Sequence, residues 1–254
     1  MLIKNEQEQD MIDLFYASSN DSKIQNLKNW LAKMPIRILT PKDFCLTINV
    51  TESGNSVVEN AVLKVTAYRD VLAEGPWKGI PILAHDTGLY IDGLSEEEQP
   101  GIFVRRRGDF AVTDIARRRG DSAMTDFTRH SGDHTMTDQE ALEYYCRLVR
   151  ERGQIVSGKR RMTARYLRGG ALLIDGTVQT KEFPAPEMWL LDEPCREYTE
   201  KGNPLDVSTL DPKTGKYWCD LSVSERDDAY GDFGTKIGEW ILESLRGNQS
   251  VDPE

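Results

Sequence analysis

Residues 11–23 read MIDLFYASSNDSK: an apolar run, Met11–Ala17, passes without a break into Ser18, Ser19, Asn20, Asp21 and Ser22. The run has the length of a buried strand, and the polar cluster is made of turn and helix N-cap formers. Ile24, Leu27 and Leu31 then recur at helical spacing until Pro35 stops the pattern, which predicts an amphipathic helix over residues 22–34. Strand, polar loop and helix in that order open an α/β fold.

Outward from this unit the alternation continues. Residues 37–40 predict a second short strand, and the polar loop Thr51–Ser56 leads into a helix marked by Val58, Ala61, Val65, Tyr68 and Leu72 and running to residue 73. Ile80–Ala84 predicts a third strand, broken by His85-Asp86-Thr87-Gly88 and resumed by Leu89-Tyr90-Ile91. Residues 137–151 predict a helix, with Thr137 as N-cap and Glu140 completing a capping box. Ala164–Ile174, Val178–Phe183 and Met188–Leu191 predict three successive strands of a meander, with Asp175-Gly176 as a turn. A last helix, Asp232–Leu245, precedes a polar tail from Gly247 that reads as mobile.

With 254 residues, 39% of them hydrophobic, the chain can bury a full core as one large domain or as two lobes sharing a sheet. A formal charge of -10 argues against binding a nucleic-acid polymer, which relies on clustered Lys and Arg, but leaves room for a free nucleotide in one locally positive pocket. The opening residues MLIKNEQEQD lack a signal-peptide pattern, and no apolar run approaches the roughly 20 residues needed to cross a bilayer. The expectation is a cytoplasmic protein with no membrane contact. Cys45, Cys146, Cys195 and Cys219 are scattered without a CxxC pair, which fits reduced thiols rather than a disulfide framework or a zinc site.

One segment repeats with a period of twelve: RRRGDFAVTDIA from Arg105, RRRGDSAMTDFT from Arg117 and RHSGDHTMTDQE from Arg129. The unit is too short for a helical-hairpin repeat and the array too short for a solenoid. It reads as an expanded surface insertion, residues 105–140, within a single domain covering 1–254. A tolerated expansion without function and a partner-binding arm are both open readings.

Three polar constellations carry chemistry. Ser18-x-Asn20-x-x-Lys23 lies where a strand passes into a helix, and the free N–H groups and positive end of a helix favour an anion, to which Lys23 adds a full charge. Ser and Asn at such a position also serve as plain caps. Glu59 and Lys64 stand five positions apart in the second helix, too far apart to form a close surface pair and so free for separate tasks. Asp86, in the break between two apolar runs, is expected to emerge at the sheet edge with its carboxylate exposed. Magnesium takes few protein carboxylates and completes its shell with water and phosphate, so Glu59 and Asp86 suffice as a pair. His85 is either a substrate contact or a structural group.

SSNDSK, ESGNSVVENAVLK and HDTGLYIDGL, in this order and spacing, resemble the inosine triphosphate pyrophosphatase family. EEEQPGIFVRR, MTDQEALEYYC, ARYLRGGALLI and GNPLDVSTLDPKTGKYWCDLS extend the likeness to a bacterial branch of that family, with only the repeat foreign. The resemblance implies an elongated α/β fold with a mixed central sheet, two lobes and an active-site cleft between them, usually as a homodimer. It implies Mg2+-dependent hydrolysis of ITP, dITP or XTP to a monophosphate and pyrophosphate. Ser18, Asn20 and Lys23 would contact phosphates, Glu59 and Asp86 would hold the metal, Asp86 would help to activate water, and Lys64, Thr87 and Gly88 would line the substrate site.

Two departures stand out. The commonest family pattern has two adjacent acids before the Thr-Gly step, whereas the first position here is His85. The family's C-terminal Lys followed by Ser-His-Arg is replaced by DDAYGDFGTKIGEW, where Lys236 supplies a charge. Asp206 in GNPLD stands where the family places an aspartate beside the base, and Trp218, Tyr217 and Trp189 offer aromatic faces for stacking. These departures motivate an alternative: a dITP-binding sensor subunit with slow or no hydrolysis that controls an effector protein, such as a NAD-degrading partner in antiviral defence.

Overall fold

The computed structural model describes residues 11–74, 76–105, 136–199 and 202–248. Most of the repeat, residues 106–135, and the tail beyond Asn248 lie outside these residues. The elements are β1 (Ile12–Tyr16), α1 (Asp21–Trp30), β2 (Ile36–Leu39), α2 (Val57–Leu72), β3 (Ile82–Ile91), α3 (Asp138–Arg152), β4 (Gln154–Val156), β5 (Lys159–Ile174), β6 (Thr177–Leu191), β7 (Thr209–Leu210), α4 (Val223–Ala229) and α5 (Phe233–Asn248). Among the described residues they build a seven-stranded mixed sheet of order β2-β1-β3-β5-β6-β7, with β4 paired to β5. The α/β expectation holds.

The chain divides into two compact units. The first comprises residues up to Thr87, Arg168–Phe183 and the stretch from Asp232. In it β1 runs parallel to β2, with Leu14 opposite Ile38, and parallel to β3, with Tyr16 opposite Leu83. Because side chains alternate along a strand, Phe15, Ile82 and Ala84 pack in one cluster with Ala61, Val65, Tyr68 and Leu72 of α2. The intervening Tyr16 stacks on His85, which meets Phe233 of α5, whose ring also touches Trp30 and Phe183. Close approach requires glycine where β5 passes the start of α2: a Cβ on Gly169 would stand 2.5 Å from the Val58 nitrogen.

The second unit comprises Gly88–Leu167 and Pro184–Gly231. Its core gathers Leu89 and Ile91 of β3, Tyr145, Leu148 and Val149 of α3, Met188 and Leu190 of β6, and Trp218. Thr137 caps α3 and Glu140 reaches back to it, as expected from the sequence. The Met136 N–H donates to the Arg105 carbonyl at 2.7 Å, and the Arg105 guanidinium pairs with Asp138. Arg105 at the start of the repeat and Met136 in its last unit are therefore direct neighbours.

The structure corrects the sequence reading at two strands. β3 is continuous from Ile82 to Ile91, so His85-Asp86-Thr87-Gly88 is not a break, and its neighbours are β1 and β5, so it is not an edge. Asp86 is accordingly buried, with 6% of its surface exposed. Val178–Phe183 and Met188–Leu191 likewise belong to one strand, β6. Its outer partner β7 pairs with it at Trp189 and Leu190. No described helix is long and apolar enough to cross a membrane.

Candidate functional site

The first unit concentrates charge around one carboxylate. Asp86 shares its strand face with Ile82 and Ala84, which directs it toward α2. There Asn60 Nδ2 donates to Asp86 Oδ2 at 3.1 Å, and Lys64 Nζ donates to Asp86 Oδ1 at 3.1 Å. Lys23, one turn into α1, brings a second ammonium to 3.5 Å from the same Oδ1. Burial alone would raise the Asp86 carboxyl, but Lys23, Lys64 and the Asn60 hydrogen bond outweigh it and hold the carboxyl below its ordinary value. Lys23 is itself pushed down, first by burial and then by Lys64, against the opposing pull of Asp86.

Local sequence explains these positions. Ser56 caps α2 by accepting from the Glu59 N–H at 3.1 Å, which fixes where the helix begins and so sets Asn60 and Lys64 one turn apart on the face toward β3. Asn60 is almost fully buried, and its Oδ1 accepts the Gly54 N–H at 3.0 Å. Gly54 is needed there because a Cβ would stand 2.7 Å from Asn60 Oδ1. The same loop delivers Glu52, whose carboxylate lies 3.2 Å from Lys64 Nζ. Glu52 and Asp86 thus meet on a single ammonium.

Glu59 does different work. Its Oε2 accepts the Asn55 N–H at 2.6 Å, closing the loop ahead of α2, and the residue is exposed. At the start of α1, Asn20 Oδ1 accepts the Lys23 N–H at 3.0 Å, so the Asn20 side chain is the cap and its amide NH2 remains as a donor. Ser18 Oγ accepts the Asn20 N–H at 3.3 Å. Thr87 follows Asp86 on β3, half-buried, and Gly88 is buried against the Gly101 backbone.

His85 points to the opposite face, stacked on Tyr16 with Tyr16 Oη 2.9 Å from its Nδ1. Burial, then Lys23, Arg168 and Lys64, push the imidazole well below its ordinary value, while burial keeps the Tyr16 phenol protonated. A neutral imidazole facing a protonated phenol sets the direction of the bond: Tyr16 donates to Nδ1. His85 is therefore a buried packing group, on the face away from Asn60.

The residues expected to serve a base are spread over both units. Lys236 is exposed on the first turn of α5. In the second unit Asp206 is buried, 3.3 Å from the Arg226 guanidinium, whose Nη2 donates to the Trp218 carbonyl at 2.9 Å. Trp218 is 3% exposed between Tyr166 and Tyr230, and its indole nitrogen is buried without a hydrogen-bond partner. The Arg161 guanidinium lies 3.4 Å above the Trp189 ring, and Lys159 lies 5.0 Å from the Tyr217 ring. Sequence reasoning missed Glu52, Asn60 and Arg226. Asn60 carried a signal, since an asparagine that shares a helical face with Val57 and Ala61 competes with the backbone unless its amide has a dedicated partner.

Comparison with known proteins locates this architecture. A dITP/XTP pyrophosphatase from Caldanaerobacter subterraneus is 29% identical over 96 residues, covering 38% of this chain and 44% of the relative. One from Borrelia garinii is 34% identical over 96 residues, covering 38% of this chain and 43% of the relative. The chain thus matches less than half the length of these relatives. The Ham1 protein of Staphylococcus aureus shares the fold with a TM-score of 0.59 at 20% identity, over 92% of this chain and 99% of that one. A HAM1 protein from Coxiella burnetii gives 0.59 at 19% identity, over 92% and 100%. The Ham1 family model matches residues 14–158, more than half of the sequence and all of the cluster formed by Lys23, Glu52, Asn60, Lys64 and Asp86, and the chain belongs to the Ham1 family.

Proposed function

We propose that this protein hydrolyses non-canonical purine nucleoside triphosphates, ITP, dITP or XTP, to a monophosphate and pyrophosphate with the help of Mg2+. The observation that carries the reading is the convergence of the Lys23 and Lys64 ammonium groups on Asp86 beside the N-terminus of α1. Attack at a phosphorus accumulates negative charge on phosphate oxygens, and cations fixed in place before the reaction stabilise it without reorganising. Lys23, the α1 N–H groups and the Asn20 amide donors would receive the phosphates. The names of the curated relatives support the substrate class.

The carboxylates suit a hard dication. Asp86 and Glu52 share one ammonium, so both lie within reach of one hydrated ion, and magnesium needs only one or two such ligands. Asp86 with Glu52 or Glu59 would hold it; when bound, the metal neutralises phosphate charge and makes bound water more acidic. The test is pyrophosphate release from ITP, dITP and XTP against ATP and GTP, with magnesium and with a chelator. Release from none of the three overturns the proposal.

A second reading rests on one feature. Both Asp86 oxygens are engaged and the carboxyl is held below its ordinary value, which favours binding charge over accepting a proton. On this reading the protein is a cytoplasmic dITP sensor acting on an effector partner. Calorimetric binding of dITP with no pyrophosphate release, and dITP-strengthened co-purification of a partner, would select it over catalysis. A homodimer belongs to either reading and is checked by sedimentation equilibrium.

A further inference from the structure

The sequence separates Cys195 and Cys219 by 24 positions, yet in the second unit their sulfurs lie 3.6 Å apart. The Cys195 N–H donates to the Val207 carbonyl at 2.8 Å, which pins the segment after β6, while Cys219 sits in the 3-10 turn Trp218–Asp220. Arg196 joins the two segments: Nη1 donates to Asp220 Oδ1 at 2.8 Å and Nη2 to the Cys219 carbonyl at 3.1 Å. One ligating atom from each of Cys195, Cys219 and Asp220 lies within 4.8 Å of the others.

We propose that Cys195, Cys219 and Asp220 form a surface site for a thiophilic divalent cation of the zinc class. Three independent features point there. A tetrahedral ion with metal–sulfur bonds of about 2.3 Å sets its sulfurs roughly 3.8 Å apart. The 3.6 Å spacing is close to that value and well beyond the roughly 2.05 Å of a disulfide. The donor set of two thiolates and one carboxylate is soft enough to exclude magnesium and calcium. Charge also balances: a dication on three anionic ligands leaves one net negative charge, which the Arg196 guanidinium neutralises. Its bond to Oδ1 orients the Asp220 carboxylate and leaves Oδ2 to the ion.

Cys195 and Asp220 are exposed, so the fourth position is open to water. The ion would fasten the segment after β6 to the turn that carries Trp218. This role does not depend on the nucleotide chemistry proposed above.

The experiment uses the full chain, reduced, titrated with Co2+ and then Zn2+. Binding of one tetrahedral Co2+ per chain is expected, beside any octahedral Co2+ held by the carboxylates around Asp86, with tetrahedral visible bands and a thiolate charge-transfer band that zinc displaces. His130 and His134 of the repeat cannot produce the charge-transfer band. Zinc should shield Cys195 and Cys219 from iodoacetamide while exposed Cys45 is alkylated, read by peptide mass spectrometry. Cys195→Ser and Cys219→Ser should each abolish the band, Asp220→Asn should weaken binding at least tenfold, and zinc should raise the melting temperature of the parent but not of Cys195→Ser. An octahedral spectrum only, a band that survives Cys195→Ser, or a Cys195–Cys219 disulfide forming where zinc fails to protect the thiols would overturn the proposal.

Discussion

At the scale of single residues the decisive group is Asp86, a carboxylate inside a strand with two ammonium groups and an amide on it. Asp86→Asn should lower pyrophosphate release by about 10²–10³ if the carboxylate organises charge in the transition state. It should also cost about 1–3 kcal/mol in urea unfolding, because Lys23 then loses its carboxylate partner and Lys64 keeps only Glu52. Glu52 and Glu59 separate by role. Removing groups that merely orient a ligand costs metal affinity about 10–100-fold, so Glu52→Gln should raise the magnesium requirement at least tenfold if Glu52 is a ligand. Glu59→Gln should change it less, since that carboxylate is spent on the Asn55 N–H. The Ser18, Asn20, Lys23 and Asp86 pattern was legible because those residues fall at element junctions or in named motifs. Glu52 was not, because only the folded loop brings it to Lys64.

Glu98 supplies a pH prediction at the same scale. The Arg152 guanidinium and the Ser95 N–H lower its carboxyl from the ordinary 4.5 to about 2. A carboxyl whose folded value is depressed contributes stability above its unfolded value and loses it as pH falls through the folded one. Stability should therefore decline between about pH 4.5 and about pH 2 in part through this pair, and Arg152→Ala should flatten that slope. At neutral pH the same change should cost less than about 1 kcal/mol, because the pair is partly solvated. Urea midpoints taken across the pH range check both statements.

At the scale of elements, β3 shows how turn chemistry misleads. His85, Asp86, Thr87 and Gly88 look like a loop in sequence, yet alternation along an unbroken strand is what sends Asp86 to Asn60 and His85 to Tyr16 and Phe233. The missing first acid of the family pattern falls on the apolar side of the sheet. α4 was overlooked although Ser222 and Glu225 spell its capping box, because seven residues carry too little periodicity. The contact between β5 and α2 gives a direct test: Gly169→Ala should destabilise the protein by about 1–3 kcal/mol in urea, since the added carbon meets backbone rather than a movable side chain.

At the scale of the whole molecule, the fold class was readable from the alternation of strand, polar loop and helix, and the family model and solved relatives agree with it. The spatial pairing of Arg105 with Met136 and Asp138 agrees with what the family resemblance implies, one short hairpin joining Val104-Arg105-Arg106 to Met136-Thr137-Asp138, with the repeat as an expansion of that loop. Replacing residues 107–134 by a short Asn-Gly turn should leave the fold intact. Loop-closure entropy favours the shorter chain by at most about 2 kcal/mol, a rise of a few degrees in calorimetric melting temperature. That junction carries a genetic consequence. Since the Arg105 carbonyl already receives the Met136 N–H, in-frame gain or loss of whole twelve-residue units alters what lies between two fixed posts. Copy number can then drift by slippage of a tandem array during replication, and natural alleles of different repeat length should fold alike.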